Sequence, residues 1–218
     1  MKIVAIEANI AAGKSTLLEP LAAALFEKTG VKWDVIREPV DEDPIFLNLL
    51  QVFVENPNDA DARVAFQLYI TRYRQNLLKT IPDGNYIIER SLFSDIVFCH
   101  VNFLQTEQPS AMYMTYFYQI KEYLKSYPPI DLVVYIDRDA ESCFNACIAR
   151  GRSGEEKYTK DYFEDVKAFH DACLPQITRQ YGSQLLTHKV KSDFACPEAL
   201  ASAIADNLGI HRQTVVSF

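Results

Sequence analysis

No apolar run in this 218-residue chain approaches the roughly 20 residues that a membrane-spanning helix needs, so no membrane partner is expected. Positive charge is scarce: Lys and Arg number 22 against 29 Asp and Glu, a formal net charge of −7. Such a chain gains little counterion-release affinity from a phosphate backbone, which disfavours nucleic acid as a main partner. A small anion stays open to it, because a few local cations suffice. Cysteine is sparse, odd in number and widely spaced, at Cys99, Cys143, Cys147, Cys173 and Cys196. Met1 to Ile6 leads straight into Glu7 without a secretory leader, so free thiols in a reducing, cytoplasmic compartment are expected. Cys143 and Cys147 stand one helical turn apart with no histidine near to complete a zinc site, and they read as half-buried helix cysteines. No internal repeat, low-complexity tract or Pro/Gly-rich linker divides the chain. Its 49% hydrophobic and 23% charged residues suit a packed core. Residues 1–218 are expected to form one domain.

What is present is an alternation. Short apolar runs at 2–6, 31–36, 85–89, 131–136 and 184–190 read as strands buried on both faces. Helical patterns lie between them, at about 13–28, 44–55, 60–80, 91–106, 111–126, 139–150, 158–181 and 196–208. This predicts an α/β fold, a parallel sheet with helices on both faces and ligands at the carboxyl ends of the strands. Pro20 falls about two turns into the first helix, where it costs a hydrogen bond and invites a kink. Asn56-Pro57-Asn58-Asp59 reads as a loop with a helix start.

The first strand runs into Ala8-Asn9-Ile10-Ala11-Ala12-Gly13-Lys14-Ser15-Thr16. This is nearly G-x-x-x-x-G-K-[ST], the loop that cradles nucleotide phosphates, with the first glycine replaced by Ala8. A methyl group is tolerated there if the backbone keeps a negative φ. Gly13 lets backbone approach phosphate, Lys14 suits the β/γ-phosphates, and the Ser15 hydroxyl suits Mg²⁺. The alternative is a small-residue turn that packs helix on strand.

Charged residues mark the other strand ends. Arg37-Glu38-Pro39-Val40 follows the second run, and Pro39 holds Glu38 out of helical geometry. Glu38 is a candidate proton acceptor or a solvated loop acid. Glu89-Arg90-Ser91 follows the third run. Ser91 suits an N-cap, Glu89 a metal, and Arg90 either phosphate or the positioning of Glu38; an ordinary capping turn is the alternative. Arg150-Gly151-Arg152-Ser153-Gly154-Glu155 reads as a mobile basic flap or as a helix end whose cations meet the dipole. Gln67, Ile70 or Thr71, and Arg74 share one helix face that suits a planar polar ligand, with Asp95 a candidate partner for Arg74 or simply part of a structural salt bridge.

In order, the chain reads N-I-A-A-G-K-S, R-E-P-V, F-Q-x-Y, E-R-S-x-x-S-D and R-G-R-x-x-E. This resembles the deoxyribonucleoside kinase family over residues 2 to about 165. The resemblance implies a P-loop kinase fold with a five-stranded parallel sheet, a short lid at about 150–157, and often a homodimer. It implies transfer of the γ-phosphoryl group of ATP, or another NTP, to the 5′-hydroxyl of a deoxyribonucleoside. By that resemblance Glu38 matches the general base, and Arg90 the arginine near the 5′-hydroxyl. Asn9 to Thr16 match the phosphate loop, and Ser15 and Glu89 the Mg²⁺ site. Gln67 matches the base-binding glutamine, Arg74 and Asp95 the base-edge pair, and Arg150 and Arg152 the lid arginines. Glu155 matches a lid acid at the 3′-hydroxyl, with Tyr162 near a family tyrosine. The family's sugar-binding tyrosine falls near Phe53 or Val54, neither of which has its hydroxyl. Asp41-Glu42-Asp43-Pro44 resembles the bacterial purine enzymes. The Arg74–Asp95 pair favours a purine deoxynucleoside, with deoxycytidine next. The rival readings are a nucleoside monophosphate kinase, which would need more cations for its acceptor, and a nucleotide sensor without turnover.

Overall fold

The apolar run at the start of the chain forms β1 (Lys2–Ala8), and its alternate residues divide between the two faces of a sheet. Val4, Ile6 and Ala8 pack in one core cluster with Leu18, Leu21 and Leu25, while Ile3 and Ala5 pack in another with Phe93, Tyr116 and Ile120. The computed structural model describes residues 1–38, 43–56, 58–105, 111–152, 155–190 and 195–212. Among these the remaining strands are β2 (Asp34–Ile36), β3 (Asn85–Glu89), β4 (Leu132–Asp137) and β5 (Gln184–Lys189). The helices are α1 (Lys14–Thr29), α2 (Pro44–Glu55), α3 (Ala60–Leu77), α4 (Leu92–Leu104), α5 (Ala111–Lys125), α6 (Ala140–Arg150), α7 (Lys160–Tyr181) and α8 (Pro197–Leu208).

The sheet order is β2–β3–β1–β4–β5, and every neighbouring pair is parallel. Parallel neighbours require crossovers, which the intervening helices supply on both faces. The expected α/β architecture with a five-stranded parallel sheet is therefore present. Burial on both faces holds for β1, β3 and β4 but not for the two edges: β2 and β5 keep exposed and half-buried residues. β2 is also shorter than its apolar run. Its ladder pairs only Asp34 to Ile36 with Tyr86 to Ile88, and Trp33 is buried in the core just before it.

Parallel order sends the carboxyl ends of β1, β2 and β3 to one edge, with the loops that follow them side by side. Helices on the path around that edge have defined starts. Ser91 Oγ accepts from Phe93 N at 3.1 Å and caps α4, and Asp59 Oδ1 accepts from Asp61 N at 2.8 Å and caps α3. α1 runs through Pro20 without a break. Pro20 is exposed, so the carbonyl left unpaired one turn earlier faces solvent. α7 carries a second interior proline, Pro175, that the helical pattern did not flag. Pro39 to Glu42, Pro57, Ser153, Gly154 and the tail from residue 213 lie outside the described residues.

Candidate active site

Ala8 ends β1 with its methyl fully buried and keeps a negative φ, as the altered loop required. The left-handed positions are Ala11, at φ 54°, and Gly13, at φ 91°. A side chain at Gly13 would be strained by that backbone even though none of the described residues lies within 4 Å of where its Cβ would stand. The space beside the backbone is open to a ligand. Among the described residues no side chain caps the N-terminus of α1, so its backbone N–H groups are available to an anion. Lys14 Nζ donates to the Asn9 carbonyl at 3.0 Å and folds back over the loop. Ser15 Oγ donates to Glu89 Oε1 at 2.5 Å. A hydroxyl and a carboxylate thus meet at the loop mouth, hard oxygen donors of the kind Mg²⁺ takes while keeping several waters.

A chain of charges crosses the site. Glu38 Oε1 accepts from Arg74 Nε at 3.0 Å and also from Arg74 Nη2. Arg74 Nη1 donates to Asp95 Oδ1 at 2.7 Å, as does Thr71 Oγ1, also at 2.7 Å. Arg90 Nε stands 3.8 Å from Glu38 Oε2. The two helix-face candidates separate: Ile70 lines the cleft with Gln67 and Arg74, and Thr71 turns away to Asp95 and Tyr116. Burial pushes the Glu38 carboxyl up, but Arg74 and Arg90 outweigh it and hold it below the ordinary carboxylate value. Burial likewise disfavours charge on Arg74, yet Asp95 and Glu38 keep it a cation. Asp95 is pushed up by its own burial, against the pull of Arg74 and Thr71.

Arg90 has φ 62°, a left-handed backbone that costs a residue with a side chain about 1–2 kcal/mol. Its guanidinium lies 4.9 Å above the Phe98 ring. Beyond the site loop, Arg150 ends α6 and Gly151 closes that helix at φ 64°. Arg150 Nη2 donates to Glu155 Oε2 at 2.6 Å and Arg152 Nη1 to Glu155 Oε1 at 3.2 Å. Glu155 therefore gathers both Arg150 and Arg152.

Most of these groups border one cleft of about 870 Å³. Seven Lys or Arg residues and three Glu line it, a positive hollow in an acidic protein. Ile10, Ala11 and Gly13 to Thr16 lie on its wall with Glu38, Gln67, Arg74, Glu89, Arg90, Arg150, Arg152, Glu155 and Tyr162. Four expected residues do not. Asn9 is buried with its Nδ2 donating to the Phe163 carbonyl, Ala12 packs in the core, and Asp95 stands fully buried behind Arg74. Phe53 is the clear correction. It packs 5.2 Å from Phe66 with Arg63 over its ring, and the earlier residues of the same helix face, Phe46 and Leu50, line the cleft instead. The apolar stripe of α2 turns inward along its length, and only its first two turns reach the cavity. Arg37, Tyr73, Arg138 and Tyr158 also line the cleft without having been singled out as site residues. Only Arg37 and Arg138 carried a signal, a cation directly after a strand.

Lys14 is held down to about 7 by burial and by Arg90, partly offset by Glu89 and Glu38. A triphosphate reverses this balance by supplying negative charge. Triphosphate binding above pH 7 is therefore expected to take up a proton, and affinity to fall as pH rises from 7 to 9. Calorimetry in buffers of different ionisation enthalpy measures the uptake; no uptake, or release, would contradict it.

Comparison with known proteins agrees with the geometry. A family model described as deoxynucleoside kinase matches residues 4–209. Deoxycytidine kinase 1 of Xenopus laevis is 27% identical over 229 residues, covering 89% of this chain and 84% of that protein. The deoxyadenosine/deoxycytidine kinase of Bacillus subtilis is 26% identical over 219 residues, 94% of each chain. The structure of deoxyadenosine kinase from M. mycoides with bound dCTP has the same fold, with TM-score 0.68 at 23% identity over 95% of this chain and 98% of that one.

Proposed function

The chain belongs to the deoxynucleoside kinase family, enzymes that move a phosphoryl group from a nucleoside triphosphate to a deoxynucleoside, and we propose that here Glu38 accepts the proton of the 5′-hydroxyl. The observation that carries this reading is that the Glu38 carboxylate and the Gly13–Ser15 loop open on the same cleft. Phosphoryl transfer is mostly positioning and charge compensation. The loop N–H groups and Lys14 hold the β/γ-phosphates. Arg90 steadies Glu38 and faces the transferring group. Arg150 and Arg152 leave Glu155 for phosphate as the lid at about 150–157 closes, and Glu155 then reaches the sugar 3′-hydroxyl. ATP, or another NTP, is the donor. Ser15 and Glu89 would hold Mg²⁺, which would supply positive charge against the charge that develops on the phosphates. Closure excludes water, a competing acceptor.

Gln67 and Arg74 read the base edge, with Asp95 holding Arg74 from behind. Fixed polar groups of this kind reject a mismatched edge strongly. A purine deoxynucleoside comes first and deoxycytidine next. We read residues 1–218 as one cytoplasmic kinase domain in a salvage role, without nucleic-acid partners. A homodimer is supported by the exposed apolar side chains Met112, Met114 and Tyr118 on α5 and Leu104 at the end of α4.

The deciding experiment offers deoxynucleosides and deoxynucleoside monophosphates with ATP and Mg²⁺. Monophosphate product from deoxynucleosides supports the reading. Product only from monophosphates, or none at all, overturns it. In the same assay Arg74→Met with Asp95→Ala is expected to widen base choice toward thymidine. Removing both partners avoids stranding Asp95 without its cation, while Glu38 keeps Arg90 at 3.8 Å. An unchanged preference profile would overturn the base-edge assignment.

A further inference from the structure

Glu7 is fully buried one residue before the end of β1, on the sheet face that carries Ile3 and Ala5. A carboxylate in such a place needs donors, and it has three. Glu7 Oε1 accepts from Ser91 N at 2.8 Å and from Ser91 Oγ at 2.6 Å, and Oε2 accepts from Ser94 Oγ. All three donors belong to the N-cap and first turn of α4, whose N-terminal dipole also favours an anion. Ser94 in turn accepts from Arg90 Nη1 at 3.1 Å, and Arg90 N donates to the Ile6 carbonyl at 3.1 Å. The strained Arg90 backbone is thus clamped between the β1 ladder on one side and a turn held by Glu7 on the other.

We infer that Glu7 is a positioning residue, which sets the Arg90 guanidinium through Ser91 and Ser94. The reason lies in the polarity of one hydroxyl. Ser94 has a single proton and gives it to Glu7, so toward Arg90 it can only accept. Arginine only donates, and the match depends on a carboxylate at residue 7. In Glu7→Gln the amide oxygen takes the Oε1 place, because two Ser91 donors converge there. The amide nitrogen then faces Ser94. Ser94 meets donors on both sides, and its own proton loses its acceptor. Arg90 keeps its charge and loses its fixed seat. This inference rests on the reading that Arg90 acts in the transfer, and the test separates the two.

Four proteins are compared: wild type, Glu7→Gln, Arg90→Met and the double variant. The Glu7→Gln change is expected to lower kcat on the order of 10²-fold. The dissociation constant for ATP, measured by calorimetry, stays within about threefold, because the loop from Gly13 to Ser15 is untouched. In the Arg90→Met background the Glu7→Gln change lowers kcat no further. An unchanged kcat in Glu7→Gln, or an equal loss in both backgrounds, overturns the inference. An Arg90→Met enzyme of normal kcat instead overturns the assignment of Arg90. Should Glu7→Gln fail to fold, Ser94→Ala takes its place. It removes the hydroxyl between the two charges. In the same cycle with Arg90→Met, a loss of kcat confined to the Arg90 background supports the inference, and an equal loss in both overturns it.

Discussion

Glu38→Gln is expected to lower kcat by about 10²- to 10⁴-fold, the range that general-base catalysis supplies. ATP affinity should stay within about threefold of wild type, since no loop donor changes. Gln keeps the volume and can still accept from Arg74 through its amide oxygen, so the cleft holds its shape. What it cannot do is take a proton. Arg74 keeps Asp95 at 2.7 Å and remains a paired cation, which protects the fold of the variant. The pH behaviour gives a second reading. Arg74 and Arg90 hold the wild-type carboxyl below its ordinary value despite its burial. Its contribution to stability is therefore complete above the unfolded carboxylate value of about 4.3 and is lost as pH falls through the folded value. Glu38→Gln should flatten that part of the acid unfolding profile. Steady-state kinetics and acid titration check both. Turnover within a few-fold of wild type would defeat the assignment.

Lys14→Met should separate activity from stability. A preorganised cation removed from the transferring phosphoryl group is expected to cost about 10²- to 10³-fold in kcat. Thermal stability should move the other way. Burial and Arg90 depress Lys14 from an ordinary 10.5 to about 7, so the folded protein bears the cost of a charge it disfavours. Between those values the unfolded chain binds more protons, and stability rises with pH across that window. Met has similar volume and no charge. The midpoint at pH 7 should rise by about 5 °C, and the pH slope above 7 should weaken. Calorimetric melts of the two proteins from pH 6 to 9 test this. A lower midpoint in the variant would show that the charge stabilises the empty cleft.

Much of this was legible along the chain because it is written in local periods. Apolar runs and helical spacing placed β1, β3, β4 and β5 and the eight helices of the described residues within a few residues, and the residues after the strands pointed to Glu38 and Arg90. The failures fall where a local pattern does not say how far an element reaches. The apolar stripe of α2 is continuous, yet Leu50 meets the cleft and Phe53 does not. Ile70 and Thr71 were equivalent by spacing, and only the packing of α3 against α4 and α5 sent Thr71 to Asp95 and Tyr116.

The sequence alone determined the α/β class, the strand-to-helix loop that can hold phosphate and the cast of charged residues, because residue type and spacing act within one or two turns of the chain. Tertiary structure decided the strand order, the union of Glu38, Arg74 and Asp95 in one line of charge, and the seat of Arg90 at φ 62°. Those contacts join residues tens of positions apart. They are fixed by how helices roll and strands register when two core faces close on one sheet, a choice that short-range preferences leave open.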